Sequence, residues 1–303
     1  MTPTVSNVLL PYSCPIYKRA ALEANSAKGE ITLLCAVFQG WLEWQDITDR
    51  LYEYTTCKNC QTTRLSGLDI NVVVEAARAE LVERGIDDSV ARQIVQNIRR
   101  THNPFGEGLE LRGRVKGSGG LNLLLCFVGR MATYGLPSIA EATIKIHKHG
   151  GVDLALLKEE EWCCGSVALR TGHIKGAEEL AKHNVDANKA TGANRVVKAC
   201  AGCFGTLSVE YPRTLGIGTP FEVVRFPVLL KDLIDEGRPT FPDSEKIHVT
   251  YHDPCHIGCH MGTYDEPRKA MDCIPGVSRC PPRGKTPFFF MTAQCPHDMP
   301  REP

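Results

Sequence analysis

The chain has 303 residues, of which 43% are hydrophobic and 23% charged, and its 35 basic residues balance its 35 acidic ones. Zero net charge gives no long-range attraction to nucleic acid, and no apolar run in the sequence is long enough to span a membrane, so neither a nucleic-acid partner nor a membrane span is expected. The 14 cysteines and the lack of a readable signal peptide predict a cytoplasmic protein whose cysteines are metal ligands or redox groups before they are disulfides.

The first hundred residues favour helices. Apolar residues at helical spacing predict helices over 42–54, 71–84 and 87–100, and Gly85 ends the second of these. Elsewhere between residues 1 and 70, turn residues and scattered cysteines interrupt the pattern, and no further helix is predicted. The polar, glycine-rich stretch 101–120 predicts a linker and a domain boundary.

After residue 120, short apolar strands alternate with amphipathic helices. The predicted strands are 121–129, 152–157, 195–199 and 247–252, and the predicted helices are 138–149, 176–191 and 227–236. This alternation predicts an α/β fold with a parallel sheet, whose functional loops follow the carboxyl ends of the strands. Cysteines occur at or just after three of these strands, at Cys126, Cys200 with Cys203, and Cys255.

The most informative cysteines form an adjacent pair and a CxxC motif. Cys163 and Cys164 precede a glycine, and Cys200 and Cys203 follow after a further strand and helix, with Cys126 upstream of the pair. Thiolates are soft ligands that suit iron, and loops from separate strand ends can surround one iron-sulfur cluster. The CxxC alone would equally suit a thioredoxin-like redox pair, but the adjacent cysteines favour a cluster.

At these residues the chain resembles the cysteine-rich CCG family of iron-sulfur oxidoreductases, which includes heterodisulfide reductase catalytic subunits and glycolate oxidase iron-sulfur subunits. The likeness extends over Trp162–Ser166, Arg170–His173, His183–Asn184, Cys200–Cys203, Tyr251–His256, Met261–Arg268 and Ile274–Val277. In this family a ferredoxin-like part with two cubane 4Fe-4S clusters commonly precedes two CCG domains. Each CCG domain can bind a noncubane 4Fe-4S cluster through five cysteines.

The resemblance implies three domains. Residues 1–105 would form a degenerate, mainly helical ferredoxin-like domain, and residues 106–245 a first CCG domain with a parallel α/β sheet. Residues 246–303 would form an incomplete second CCG domain with an atypical C-terminus. The implied cluster ligands in the first CCG domain are Cys163, Cys164, Cys200 and Cys203, with Cys126 as the fifth.

The ferredoxin-like part departs from the family pattern. Cys57 and Cys60 match one motif, but Tyr54 and Arg64 stand where further cysteines are expected. Cys14 matches the end of the other motif, whose remaining positions are not cysteines. Three cysteines cannot by themselves hold two four-thiolate clusters. A ferredoxin-like shell without intact cubane clusters is therefore favoured over a complete pair of clusters.

The CCG domains depart from the pattern as well. Arg130 stands where the family places the leading cysteine, and Cys126, four residues earlier, could serve only if the strand end rearranges; its alternative role is a small buried hydrophobe. Cys255 begins the second CCG motif, but no second Cys-Cys-Gly and no later CxxC follow. From residue 278 onward the resemblance stops, which suggests a truncated or frame-shifted end.

A zinc site is a competing interpretation of the late histidines. His252, His256 and His260 are spaced by four residues, and with Cys255 or Cys259 they could ligate zinc. The Asp-Pro pair after His252 opposes a single helix through all three. No dinucleotide fingerprint, Walker motif or catalytic triad is present.

The sequence thus predicts an iron-sulfur oxidoreductase component similar to heterodisulfide reductase. A noncubane 4Fe-4S cluster would pass electrons to a disulfide or a related acceptor, and no individual catalytic residue is assigned. Partners would be other redox subunits, iron-sulfur, flavin or quinone-linked, and membrane association would occur only through such a partner. The alternatives are a cluster-poor structural or interaction subunit and a zinc-binding CCG protein.

Overall fold

The computed structural model describes residues 14–62, 68–114, 124–238, 241 and 246–280. The described residues fall into two compact units. The first runs to Gln96 and also includes Val167–Ala177, and the second comprises Asn97–Ser166 and the described residues from Glu178 onward.

The first unit is built from helices, as the sequence predicts. Its helices are α1 (Pro15–Ala20), α2 (Ala27–Phe38), α3 (Trp44–Glu53), α4 (Asn59–Thr62), α5 (Ile70–Glu83) and α6 (Ser89–Thr101), whose last turn falls in the second unit. The core forms where α2, α3 and α5 pack together, around the fully buried side chains of Leu51, Val74 and Leu81.

Helix α2 corrects the prediction that residues 1–70 contain a single helix. Ser26 caps α2, because its hydroxyl accepts a hydrogen bond of 3.2 Å from the Gly29 N–H. A Cβ atom at position 29 would lie 2.2 Å from the Glu23 carbonyl oxygen, so the first turn requires glycine. The apolar residues 31–38 are nearly continuous, and such a run hides the helical period from a sequence pattern.

Buried Arg78 explains why a later segment packs with the first unit. Its guanidinium donates to the Leu51 carbonyl near the end of α3 and, over 2.6 Å, to the Arg170 carbonyl. Gly172 follows with a φ of 85°, and a Cβ atom there would lie 2.4 Å from the Arg78 carbonyl oxygen. Val167–Ala177, which the sequence assigns to the first CCG domain, is thereby tied to α3 and α5. The predicted domain limits at 105 and 245 stay predictions.

The second unit has a four-stranded parallel sheet in the order β2-β1-β3-β4, which confirms the predicted α/β fold. Its strands are β1 (Leu124–Phe127), β2 (Ala155–Leu156), β3 (Arg195–Lys198) and β4 (Glu222–Arg225). The helices that join or follow them along the chain are α7 (Pro137–His149), α8 (Ser166–Arg170), α9 (Ile174–Ala190), α10 (Ala201–Gly205), α11 (Tyr211–Arg213) and α12 (Phe226–Asp235). Of these, α8 from Val167 onward and the first turn of α9, as far as Ala177, belong to the first unit.

The strand order places a crevice between β1 and β3. The chain passes from β1 to β2 on one side and then crosses to β3 on the other side. In open parallel sheets, ligands bind outside the carboxyl ends of the strands at such a switch point. Phe127, the last residue of β1, pairs with Lys198, the last residue of β3. The loops that follow these two residues are therefore the expected binding loops of the sheet.

The predicted linker is packed in its described part. Asn103 is fully buried, and its amide donates to the carbonyls of Thr101 and Glu107. A 3-10 helix follows at Leu109–Arg114, and Arg112 within it is buried. A polar, glycine-rich composition predicts an exposed segment. Here the buried Asn103 side chain donates hydrogen bonds to backbone carbonyls of the loop, so the loop can be packed.

A second, smaller sheet lies near the end of the described chain. Strands β5 (Ile247–Val249) and β6 (Val277–Arg279) pair in parallel, and α13 (Asp265–Asp272) connects them. This small α/β unit lies within the range of the predicted second CCG domain, whose limits stay a prediction. The sequence predicts that the resemblance to the family stops at residue 278. Residues 281–303 of this segment lie outside the described residues. No described helix has both the length and the apolar character needed to cross a membrane.

Glu30 in α2 gives the first unit a pH-dependent stability. Glu30 is 1% exposed, and burial raises the pKa of its carboxyl to about 8. The positive charges of Arg78 and Arg50 lower this pKa, and the negative charge of Glu53 raises it further, but burial is the largest effect. A carboxyl whose pKa rises on folding binds more protons in the folded state. The free energy of unfolding therefore falls as the pH rises from about 4.5 to about 8.

We expect Glu30→Gln to remove most of this pH dependence, because the amide resembles the protonated acid and does not ionise. Between pH 5 and pH 9 the wild-type chain should lose a few kcal/mol more than the variant. Urea denaturation followed by circular dichroism measures this, with exposed Glu83→Gln as the control. Parallel stability curves for all three proteins would contradict the assignment.

Candidate functional site

The backbone of the adjacent cysteine pair is fixed by two fully buried side chains. The Asn184 amide donates over 2.9 Å to the Cys163 carbonyl, and the Tyr211 hydroxyl donates over 2.9 Å to the Cys164 carbonyl. Gly165 follows with a φ of 87°, a conformation that favours glycine. These contacts set the position of both thiols without help from a bound group.

The CxxC motif begins two residues after the last residue of β3. Cys200 is the residue before α10, and Cys203 lies within that helix. Gly129, two residues after β1, lies against them, since a Cβ atom there would be 3.3 Å from the Cys203 sulfur. The glycine therefore allows the loop after β1 to approach the CxxC closely. The structure brings Cys163, Cys164, Cys200 and Cys203 together at the crevice between β1 and β3.

The four thiols form a connected network. Cys164 hydrogen-bonds with the thiols of Cys163 and Cys203, which lowers the pKa of Cys164 well below the usual value. Hydrogen bonding with Cys203 lowers the pKa of Cys200 to about 7. Hydrogen bonding with Cys164 and burial raise the pKa of Cys163 well above its usual value, and the positive charge of Arg130 opposes that shift. The network thus lowers the pKa values of two of the four thiols, Cys164 and Cys200, and raises those of Cys163 and Cys203.

Lys198 places a buried ammonium group near two of these thiols, Cys203 and Cys164. The side chain is 1% exposed, lies over the Phe127 ring, and its Nζ has no hydrogen-bond partner among the described residues. Burial lowers its pKa to about 8, and the nearby Cys203, Glu161 and Cys164 oppose that shift. A buried cation of this kind requires negative charge nearby, because an unpaired charge in the core is costly.

Glu161 ties the two halves of the site together. Its carboxylate accepts hydrogen bonds from the N–H groups of Val128 (2.7 Å) and Gly129 (2.8 Å), and it forms an ion pair with Arg112. Both side chains of this ion pair are at most 2% exposed. The loop after β1 is thereby fastened to the segment that immediately precedes the cysteine pair.

An aromatic stack flanks the same segment. The Trp162 ring lies between the rings of His102 and His183, with centroid distances of 3.5 and 3.6 Å and nearly parallel planes. The Cys163 N–H also donates to the His102 carbonyl over 2.9 Å. Trp162, the residue before Cys163, is therefore held on both faces of its ring.

Cys126 does not join the four thiols. It lies in β1, packed with Leu124 and Val128 in the apolar cluster on one face of the sheet. Cys164 and Cys203 belong to the cluster on the other face, which includes Leu125 and Phe127. Burial raises the pKa of Cys126 to about 12. This placement matches the small buried hydrophobe that the sequence offers as the alternative role.

Three other predicted ligands come together in the first unit. Cys14, Cys57 and Cys60 line one cleft with Tyr54, and all four residues are buried. Cys14 directly precedes α1, Cys60 lies in α4, and Cys57 stands between two residues of positive φ, Thr56 at 51° and Lys58 at 57°. Arg64 lies outside the described residues.

The late histidines form a compact turn rather than one helix face. The rings of His256 and His260 stack with centroids 4.3 Å apart, and Cys255 and Cys259 lie in the same turn region. In the part of the chain that the structure describes, no three His, Cys, Asp or Glu side chains are grouped so that they could hold a single metal ion. A zinc site at these histidines therefore stays a prediction.

Sequence patterns missed the polar residues that support the site. Glu161 and Arg112 are far apart in the chain, and nothing in the sequence pairs them. Lys198 had a readable signal, because a lysine at the end of an otherwise apolar strand predicts an unusual buried charge. Asn184 was part of the resemblance, but its hydrogen bond to the Cys163 carbonyl emerges only from the fold.

Comparison with known proteins supports the sequence resemblance. The family profile described as the CCG cysteine-rich domain matches residues 125–208 and 249–286. The first match contains all four clustered thiols. The second is shorter and covers the small β5-β6 sheet region. No solved structure matches the chain significantly.

Several curated relatives are components of redox enzymes. One component of the dihydromethanophenazine:CoB–CoM heterodisulfide reductase of Methanosarcina acetivorans is 39% identical over 246 residues, covering 78% of this chain and 59% of the relative. One component of the CoM/CoB fumarate reductase of Methanothermobacter marburgensis is 29% identical, covering 76% of this chain and 46% of the relative. The EtfAB:quinone oxidoreductase of Syntrophomonas wolfei is 26% identical, and the match covers 76% of this chain and 34% of the relative. The chain thus spans between about a third and three fifths of the length of these relatives.

We expect Glu161→Gln to destabilise the second unit by about 3–5 kcal/mol, because it leaves the buried Arg112 charge uncompensated. The matched control is Glu160→Gln, an exposed neighbour that should change stability by less than about 0.5 kcal/mol. Urea denaturation of the metal-free proteins under anaerobic conditions measures both. Equal midpoints for the two variants would show that the ion pair does not stabilise the site.

Proposed function

The chain carries the cysteine-rich CCG domain and is a homologue of iron-sulfur oxidoreductase components, and from this premise we propose that it transfers electrons in a complex similar to heterodisulfide reductase. In this proposal Cys163, Cys164, Cys200 and Cys203 bind one noncubane 4Fe-4S cluster. Electrons pass through this site to a disulfide or a related acceptor.

The observation that carries the proposal is the buried Lys198 ammonium near Cys203 and Cys164, two members of the four-thiol network. Its Nζ has no hydrogen-bond partner in the described structure, so the thiols and Glu161 are its compensating groups. Binding of iron through four thiolates would supply further negative charge at the same place. Thiolates are also the donor atoms that iron-sulfur clusters use, and a cluster with several irons does not require its ligands to meet at one metal position.

The residues of this chain would act on such a cluster in three ways. Asn184 and Tyr211 hold the backbone of the cysteine pair, so that ligand positions are set before binding. Lys198 offsets the negative charge, and the burial of Cys163, Cys164 and Cys203 excludes water. Bound there, the cluster would supply single-electron transfer and an iron position for one sulfur of a disulfide.

A partner complex belongs to the same proposal. The names of the relatives describe components of heterodisulfide reductase and fumarate reductase, and this chain covers only part of their length. We therefore propose that this chain works with other redox subunits, iron-sulfur, flavin or quinone-linked, and no catalytic residue is assigned within it.

We expect the double variant Cys163→Ser, Cys203→Ser to lose about four irons and four sulfides per chain relative to the wild type, because it removes two of the four thiolates. The matched control is Cys273→Ser, an exposed free thiol in the same unit. Iron, zinc and acid-labile sulfide are measured after anaerobic purification. Unchanged iron in the double variant would reject the site, and zinc without sulfide in the wild type would support the zinc alternative.

Lys198→Met should lower the reduction potential of the cluster, by on the order of 100 mV for a unit charge a few ångströms away. It should also stabilise the metal-free protein, since it removes a buried charge. Lys175→Met is the control, because that lysine is not buried. Redox titration followed by electron paramagnetic resonance (EPR) measures the potential of the cluster and so separates an effect on the cluster from an effect on protein stability alone. A stabilised protein with an unchanged potential would mean that Lys198 does not face the cluster.

A further inference from the structure

A small cavity in the second unit lies where the loops after β1 and β2 meet. About 180 Å³ of it is free of protein atoms, part of this volume being open to solvent. Val128 and Leu156 in its wall pack in the apolar cluster that contains Cys126, whereas Cys164 and Cys203 belong to the cluster on the other face of the sheet. The cavity is therefore separate from the four thiols. Its walls are formed by Arg112, Val128, Thr133, Leu156, Lys158 and Glu161.

One edge of the Arg112 guanidinium in this wall is unused. Arg112 is 2% exposed, and its Nη1 forms the ion pair with Glu161. Nε and Nη2, which share another edge of the guanidinium, are buried and have no hydrogen-bond partner among the described residues. Their N–H groups point in the same direction, so a single acceptor can lie against both. Because a buried donor without an acceptor costs free energy, this edge requires an acceptor that the described protein does not supply.

Lys158 brings a second positive charge to the cavity. It lies two residues after the end of β2 and has a φ of 53°, a conformation that a lysine rarely adopts unless its surroundings hold it there. The Glu161 carboxylate is the only acidic group in the wall, and it already accepts hydrogen bonds from Arg112 and from the N–H groups of Val128 and Gly129. The wall thus carries two cationic groups and one carboxylate.

These features define the occupant by its charge and its size. The unsatisfied groups are donors and the excess charge is positive, so the occupant should accept hydrogen bonds and carry negative charge. The enclosed part of the cavity has room for one particle of about the size of a water molecule, which excludes phosphate, sulfate and carboxylates. A water molecule would satisfy the donors but would leave the excess positive charge uncompensated. A monatomic anion meets both requirements.

We propose that this cavity binds one chloride ion, held by the Nε–H and Nη2–H groups of Arg112 and by the Lys158 ammonium. Arg112 would then bridge two negative groups, the chloride on one edge and the Glu161 carboxylate on Nη1. Since Glu161 fastens the loop after β1, the bound anion would stabilise that loop through the ion pair. The site is independent of the proposed cluster and can be tested in the metal-free protein.

The first test measures urea denaturation of the full metal-free chain at constant ionic strength, with gluconate replacing chloride. A ligand that binds only the folded state stabilises it, so once the site is mostly occupied each tenfold increase in chloride should lower the unfolding equilibrium constant about tenfold. Bromide should act in the same way. A stability that does not change when gluconate is replaced by chloride would overturn the proposal.

Three variants locate the effect. Arg112→Lys keeps a positive charge opposite Glu161 but lacks the guanidinium edge, so its stability should no longer depend on chloride. Lys158→Met, which leaves the buried ion pair intact, should require about tenfold more chloride for the same stabilisation. Lys145→Met is the control, because this side chain is 73% exposed and lies outside the cavity wall. Equal chloride dependence in all three variants and the wild type would show that the anion binds elsewhere.

A crystal structure of the metal-free chain in bromide identifies the occupant directly. We expect one anomalous bromide peak between the Arg112 guanidinium and the Lys158 ammonium, and no such peak in Arg112→Lys. A water molecule in the cavity without an anomalous peak would reject the anion, even if the donors of Arg112 are satisfied.

Discussion

The binding loops of the second unit depend on the buried carboxylate of Glu161. It accepts hydrogen bonds from the Val128 and Gly129 N–H groups and forms an ion pair with Arg112. This one side chain therefore joins the loop after β1 to the segment before the cysteine pair. Without it, the loop after β1 would have two buried N–H groups to satisfy in another way. The same contact holds Gly129 against Cys203, and the close approach of the two loops then defines the thiol site.

Buried groups of opposite charge lie close together at the thiol site. Glu161 is neutralised by Arg112, whereas the Lys198 ammonium lies near Cys203 and Cys164, and hydrogen bonding lowers the pKa of Cys164. Pairing of opposite charges in the core limits the cost of desolvation. A bound cluster of negative charge would therefore meet a fixed cation.

The sequence was sufficient for the fold class and for the grouping of four thiols, because strand periodicity and motif spacing are local properties. It could not reveal α2, since the apolar run 31–38 has no helical period, or the burial of Asn103 in a stretch of linker composition. It left open on which face of β1 Cys126 lies, because that depends on the register of one buried strand. Pairs such as Arg112 and Glu161 are created by folding and have no sequence signature.

The two thiol sites use the same supporting chemistry in different units. In the second unit, Asn184 and Tyr211 contact each other and bind the carbonyls of the cysteine pair. In the first, Asn71 and Tyr54 form the corresponding pair, and Asn71 binds a carbonyl next to Cys57. In both, a buried amide and a buried phenol order the ligand loop through its backbone. The cost of ordering each cysteine loop is thereby met during folding and not by a group that binds later.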